Sequence, residues 1–171
     1  HADGTLASFE PTEEGVPRTV VKNMIANIDT AAYPESIIVP FMEIVHDRIN
    51  IEVLRGCTRG CRFCQAGMLY RPQRERSLER LTDLARKLLA STGYEEMSLS
   101  SLSTGDYSHL PELARALVEE HGCKKVAISL PSLRIDSVLG ETLEQTQSVR
   151  KTGLTFAPEA GTQRLRDVIN K

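Results

Sequence analysis

Apolar and polar residues alternate along Arg48-Ile49-Asn50-Ile51-Glu52-Val53-Leu54, which is the two-residue period of a β-strand. Ile49, Ile51 and Val53 share one face, and Asn50 and Glu52 the other. The period then lengthens. Leu78, Leu81, Leu84, Leu88 and Leu89 recur on one helical face, with Ser77 placed as an N-cap and Gly93 as the stop. The two periods keep alternating. Glu96–Ser103 predicts a second strand with Met97 and Leu99 on one face. Leu110, Leu113, Leu117 and Val118 predict a helix with Pro111 in its first turn and Gly122 at its end. Val126, Ile128 and Leu130 predict a third strand that stops before Pro131. A weaker helical pattern over 136–150 carries Val138, Leu139, Leu143 and Val149. Gly153–Phe156 reads as a fourth strand, and Leu165, Val168 and Ile169 begin a fourth helix.

Strand and helix thus alternate through about four β/α units, the pattern of parallel βαβ connections in an α/β fold. A (β/α) barrel and an open doubly wound sheet both fit, and both place functional loops at the carboxyl ends of the strands. Residues 1–40 show no sustained period. They carry turn signals at Asp3-Gly4 and Glu14-Gly15 and prolines at 11, 17, 34 and 40. They read as an irregular connector from an upstream domain, with short extended pieces at Thr5–Phe9 and Arg18–Lys22, lying on the surface of another body. The barrel portion is expected over 41–171.

Composition narrows the class. The 171 residues suffice for one domain, and 40% apolar with 26% charged residues is ordinary for a globular protein. No run approaches the roughly 18 apolar residues that span a bilayer, so no membrane is expected. A net charge of −2 gives no general case for nucleic acid. The first residues lack a signal peptide's apolar core, and His1 in place of Met points to a processed or excised piece. Four cysteines, three of them clustered, do not make a disulfide scaffold, so a reducing cytoplasm is the expected setting. Cys123 stands apart and reads as a small buried hydrophobe.

The clustered cysteines lie in Arg55-Gly56-Cys57-Thr58-Arg59-Gly60-Cys61-Arg62-Phe63-Cys64-Gln65-Ala66-Gly67, directly after the first strand. Thiolates suit zinc or iron–sulfur clusters. A structural zinc site takes four protein ligands, and so ordinarily does a four-iron cluster. Here there are three cysteines and no neighbouring fourth ligand. His46 lies before the strand, at its opposite end, and His109 could approach only from the next loop. Spacing alone leaves three readings: a cluster with one iron open to a non-protein ligand, a Cys₃His zinc site, or unligated thiols.

With Phe63 just before its last cysteine, Cys57-x-x-x-Cys61-x-x-Cys64 resembles the signature of the radical S-adenosylmethionine (radical SAM) enzymes. Glu43–Ile49, Arg55–Met68, Tyr70-Arg71-Pro72 and Arg74–Ser77 resemble one subgroup of them. Those are multidomain proteins with a cobalamin-binding-like domain upstream of the barrel and no assigned substrate. The likeness continues through Ser98–Thr104 and Phe156–Arg166, so it covers nearly all of 40–171. It implies a [4Fe–4S] cluster on Cys57, Cys61 and Cys64, its open iron chelated by the methionine moiety of SAM. It also implies reductive cleavage of SAM to a 5′-deoxyadenosyl radical, with flavodoxin or ferredoxin as electron donor.

Other roles follow from the same resemblance. Phe63 would lie near adenine. Family members often carry Gly-Gly-Glu after the second strand to hold the methionine amino group, whereas this chain has Ser103-Thr104-Gly105-Asp106. Ser103 and Asp106 are the candidate acceptors there, against the plainer reading of an Asx-turn. Arg134 is the candidate for the SAM carboxylate, or else a surface arginine. Glu159 is the candidate for the ribose or carboxylate, with Thr162 as a helix N-cap.

Arginines crowd the loop at 55, 59, 62, 71, 74, 76 and 80, offset by Glu75 and Glu79. A solvated rim is the simpler account; an electropositive mouth for an anionic substrate such as RNA is the sharper one. A complete barrel takes about 250 residues, so the chain is expected to be the truncated N-terminal portion of a radical SAM barrel. The remaining strands would follow C-terminally, cobalamin would sit on an upstream domain, and the piece alone would be inactive. The expected function is a radical SAM enzyme core acting on RNA or a cofactor precursor, for instance by methyl or methylthio transfer. The alternative is a zinc-binding structural or RNA-interaction module built on the three cysteines and a histidine.

Overall fold

The structure is a computed structural model that describes residues 1–135 and 140–171. Strand β1 (Ile49–Glu52) runs almost directly into β2 (Leu54–Arg55), which pairs antiparallel with β3 (Arg74–Glu75). β1 itself pairs in parallel with β4 (Glu96–Ser100), with Ile49 opposite Met97 and Ile51 opposite Leu99. β4 pairs in parallel with β5 (Ala127–Ser129), so the sheet order is β1-β4-β5. The α/β class and its parallel sheet are those the alternating periods predict.

α1 (Ala66–Leu69) is a single turn after the cysteines. α2 (Leu78–Thr92) and α3 (Leu110–His121) are the crossovers, and α4 (Gly140–Val149) and α5 (Gln163–Val168) follow. α2 begins and ends as its sequence directs. The Ser77 hydroxyl accepts from the Arg80 amide at 3.2 Å, and Gly93 turns left-handed at φ 71° while its amide closes on the Leu89 carbonyl. Pro111 sits in the first turn of α3. Gly122 ends that helix with right-handed φ, and the reversal comes three residues later, at Lys125 with φ 59°. The intervening tight turn leaves Cys123 exposed, not buried as its isolation in the sequence suggested.

Ile49, Ile51, Met97, Leu99 and Ile128 join Leu81, Leu84, Leu88, Leu113 and Leu117 in one buried core between sheet and helices. Each such side chain contributes about 1.5–3 kcal/mol on burial. In the same register Asn50, Ser98 and Ser129 form a row on the opposite face, and Glu52 and Ser100 another. That face is polar apart from Ala127, opposite Glu96.

Three expectations change. Gly153–Phe156 forms no strand; Phe156 makes one parallel bridge, to Leu133. β5 is short, and beyond it the chain turns through Pro131 and Ser132 (φ 59°), so the edge offers a single residue to pair with. Thr5–Phe9 and Arg18–Lys22 are likewise not strands. The end of the connector packs on this domain: Ile28 is fully buried, and the Tyr33 hydroxyl donates to the Asn50 carbonyl at 2.6 Å. Asp29 accepts from the Ser77 amide at 2.9 Å. Arg76, 1% exposed, reaches the carbonyls of Ile28 and Glu52 with its guanidinium over the Tyr33 ring. The expected helix over 136–150 is seen from Gly140, and Val138 and Leu139 lie outside the described residues. Among the described residues, no helix is long and apolar enough to cross a membrane.

Candidate cofactor site

The cysteine loop is pinched at its base. β2 and β3 bring residue 55 opposite residue 74, so 56–73 form a loop with a two-stranded neck. Gly56 makes the neck possible. Its φ is 95°, and a Cβ there would lie 2.5 Å from the Tyr70 carbonyl oxygen and 2.8 Å from that of Pro72. No sequence period announced this pair, because each strand is two residues long.

The loop, the ends of β4 and β5, and the segment before α5 meet around a cavity of ≈ 270 Å³. Cys57, Cys61, Phe63 and Cys64 line it from the loop, Ser103 from beyond β4, Arg134 from beyond β5, and Glu159 from the last segment. Asp106 does not line it. Both its carboxylate oxygens take the Arg59 guanidinium, Oδ2 from Nε at 2.8 Å. Burial pushes the Asp106 carboxyl up, but hydrogen bonds from the Arg59 guanidinium and the Ser103 hydroxyl outweigh this and hold it below its ordinary value. Asp106 therefore fixes a loop arginine instead of facing the cavity.

The residues present fit an anionic iron–sulfur centre with a polar ligand beside it. The sulfurs are flanked by donors: the Arg59 amide points at Cys57 Sγ and Arg134 Nη1 at Cys61 Sγ, each at 3.5 Å. The Ser103 hydroxyl is buried in the wall, beside the Asp106 carboxylate. As the side chains stand, no three His, Cys, Asp or Glu groups among the described residues close on one point as a metal site. Among the described residues lining the cavity there is no histidine. His46 sits against Arg48 at the amino end of β1, and His109 is exposed beside Tyr107.

Of two further lining residues, Lys171 carried no signal in the sequence, while Ser132 lies in the segment expected beyond the third strand. Lys171 Nζ pairs with Glu159 at 3.0 Å and lies 5.8 Å from the centre of the Phe63 ring. Ser132 lines the wall from a left-handed turn. Each of the seven crowded arginines has a partner within the chain. Arg55, Arg59, Arg76 and Arg80 meet carboxylates, while Arg62, Arg71 and Arg74 donate to backbone carbonyls. They tie the loop and its neighbours together.

A family model of the radical SAM superfamily matches residues 51–171. The uncharacterized protein MJ0966 of Methanocaldococcus jannaschii is 38% identical over 121 residues, which is 71% of this chain and 26% of that protein. The chain therefore spans about a quarter of the relative's length. The matched region contains β4, β5 and the end of β1, the pinched loop and all three clustered cysteines, and the chain belongs to the radical SAM superfamily.

Proposed function

We propose that the chain is the SAM-cleaving core of a radical SAM enzyme, with Cys57, Cys61 and Cys64 holding a [4Fe–4S] cluster and SAM lying beside it. When bound, that pair supplies one-electron reductive cleavage of SAM and hence hydrogen abstraction from a substrate. The observation carrying the reading is that three cysteines share one cavity with residues beyond the carboxyl ends of β4 and β5 and from the segment before α5.

The chain's own residues divide the work. Phe63, 55% exposed, offers a ring face to adenine. The Ser103 hydroxyl, in the cavity wall, accepts from the methionine ammonium. Arg134 supplies a cation to the carboxylate, and Glu159 accepts from ribose hydroxyls. In the whole protein a flavodoxin or ferredoxin would deliver the electron, a cofactor precursor or RNA would be the substrate, and an upstream domain would carry any cobalamin. A reducing cytoplasm suits the free thiols.

Anaerobic iron–sulfide reconstitution of the full-length protein tests the cluster. About four irons per chain, with a broad charge-transfer band lost in the Cys57→Ala/Cys61→Ala/Cys64→Ala variant, is the expected result. One zinc per chain and no such band would overturn it.

A further inference from the structure

Four consecutive carbonyls of the cysteine loop are capped from outside by two side chains. Arg71 donates to Cys57 O from Nε at 3.4 Å and to Thr58 O from Nη2 at 3.3 Å. Asn170 donates through its one amide nitrogen to Arg59 O and Gly60 O, both at 3.0 Å. The two caps meet at Gly60, where a Cβ would lie 3.3 Å from Arg71 Nη2 and 3.6 Å from Asn170 Nδ2. The strand of contacts continues with the Arg62 amide, which donates to the Ile169 carbonyl at 2.9 Å. Asn170 is held for this task in left-handed backbone, with φ 56°, a conformation that asparagine tolerates better than most residues.

The consequence lies on the other side of each peptide plane. In a trans peptide the carbonyl of one residue and the amide of the next point in opposite directions. Capping Thr58 O from outside therefore turns the Arg59 amide inward, and that amide is the one that reaches Cys57 Sγ. Capping Arg59 O and Gly60 O turns the Gly60 and Cys61 amides away from the clasp in the same sense. Hydrogen bonds to cluster sulfurs are one of the settings of iron–sulfur reduction potential.

We propose that Asn170 and Arg71 are positioning residues for the cluster. By gripping the carbonyls of 57–60 they hold the loop's amides towards the thiolates, favouring the reduced, more negative state of the centre. The proposal rests on the cluster reading above and adds residues outside the cysteine motif.

The test uses reconstituted full-length protein. Asn170→Leu keeps the volume and removes the donors without adding charge. It is expected to keep the iron content but make reduction about tenfold less favourable, a potential lower by about 59 mV for one electron. Iron loss to a chelator should also quicken severalfold. Arg71→Gln is the second arm, with a shift in the same direction, and it serves if Asn170→Leu does not fold. Asn170→Gln, which restores an amide donor, should recover part of the shift. Wild-type potential and wild-type iron-release rate in both variants would overturn the clasp alone. A wild-type protein that assembles no cluster would overturn the cluster reading, and the clasp with it.

Discussion

At the scale of single residues, the site depends on small steric and electrostatic facts. Gly56 is surrounded by backbone, so Gly56→Ala meets both a left-handed φ and carbonyl oxygens that cannot step aside. It should cost about 2 kcal/mol or more and open the neck, lowering the iron retained per chain; chemical unfolding and iron assay together measure this. Asp106 is a milder case with a pH signature. Its folded pKa lies below its ordinary value, so its contribution is complete above the unfolded pKa and fades as pH falls through the folded one. Asp106→Asn should therefore be less stable at pH 7 by on the order of 1 kcal/mol, with the gap closing below roughly pH 4. Urea unfolding of both proteins at pH 7 and near pH 3 reads the difference, and a gap independent of pH contradicts it.

At the scale of elements, regular periods were readable and irregular ones were not. α2 could be placed to the residue because Ser77, its leucines and Gly93 each act locally. The core residues of β1, β4 and β5 followed from alternation, since one face of each strand had to be buried. The β2–β3 neck was silent because two residues make no pattern. The packed end of the connector was silent because one buried isoleucine and several side chain-to-backbone bonds leave no period. Arg76 shows the point: the sequence placed it in a charged rim, yet it is buried, joining residue 28 to residue 52. Arg76→Met leaves those carbonyls without their donor and should destabilise by about 3 kcal/mol. Residues up to 37 should then detach first, seen as early chymotryptic cleavage after Tyr33; unchanged protection there would sink the assignment.

At the scale of the molecule, the sheet has an apolar face towards α2 and α3 and a polar face of Asn50, Glu52, Ser98, Ser100 and Ser129 away from them. Closed (β/α) barrels usually fill their interior with branched apolar side chains; a hydrogen-bonding wall instead suits a polar ligand. The candidate site was largely legible because strand ends in a parallel fold converge, whatever the loops between them contain. Cys57, Cys61, Phe63, Cys64, Ser103 and Arg134 are brought to one cavity for that reason, and Glu159 joins them from the segment before α5. Asp106 was less legible, because its partner Arg59 sits 47 residues away in sequence.

The central claim is that this loop and cavity cleave SAM reductively. The most direct measurement is 5′-deoxyadenosine formed from SAM by the reconstituted full-length protein under dithionite, without oxygen. The account predicts its formation by the wild type and its loss in Cys64→Ala. A wild-type protein that carries its cluster and yields no 5′-deoxyadenosine, or a Cys64→Ala variant that yields as much as wild type, would contradict it.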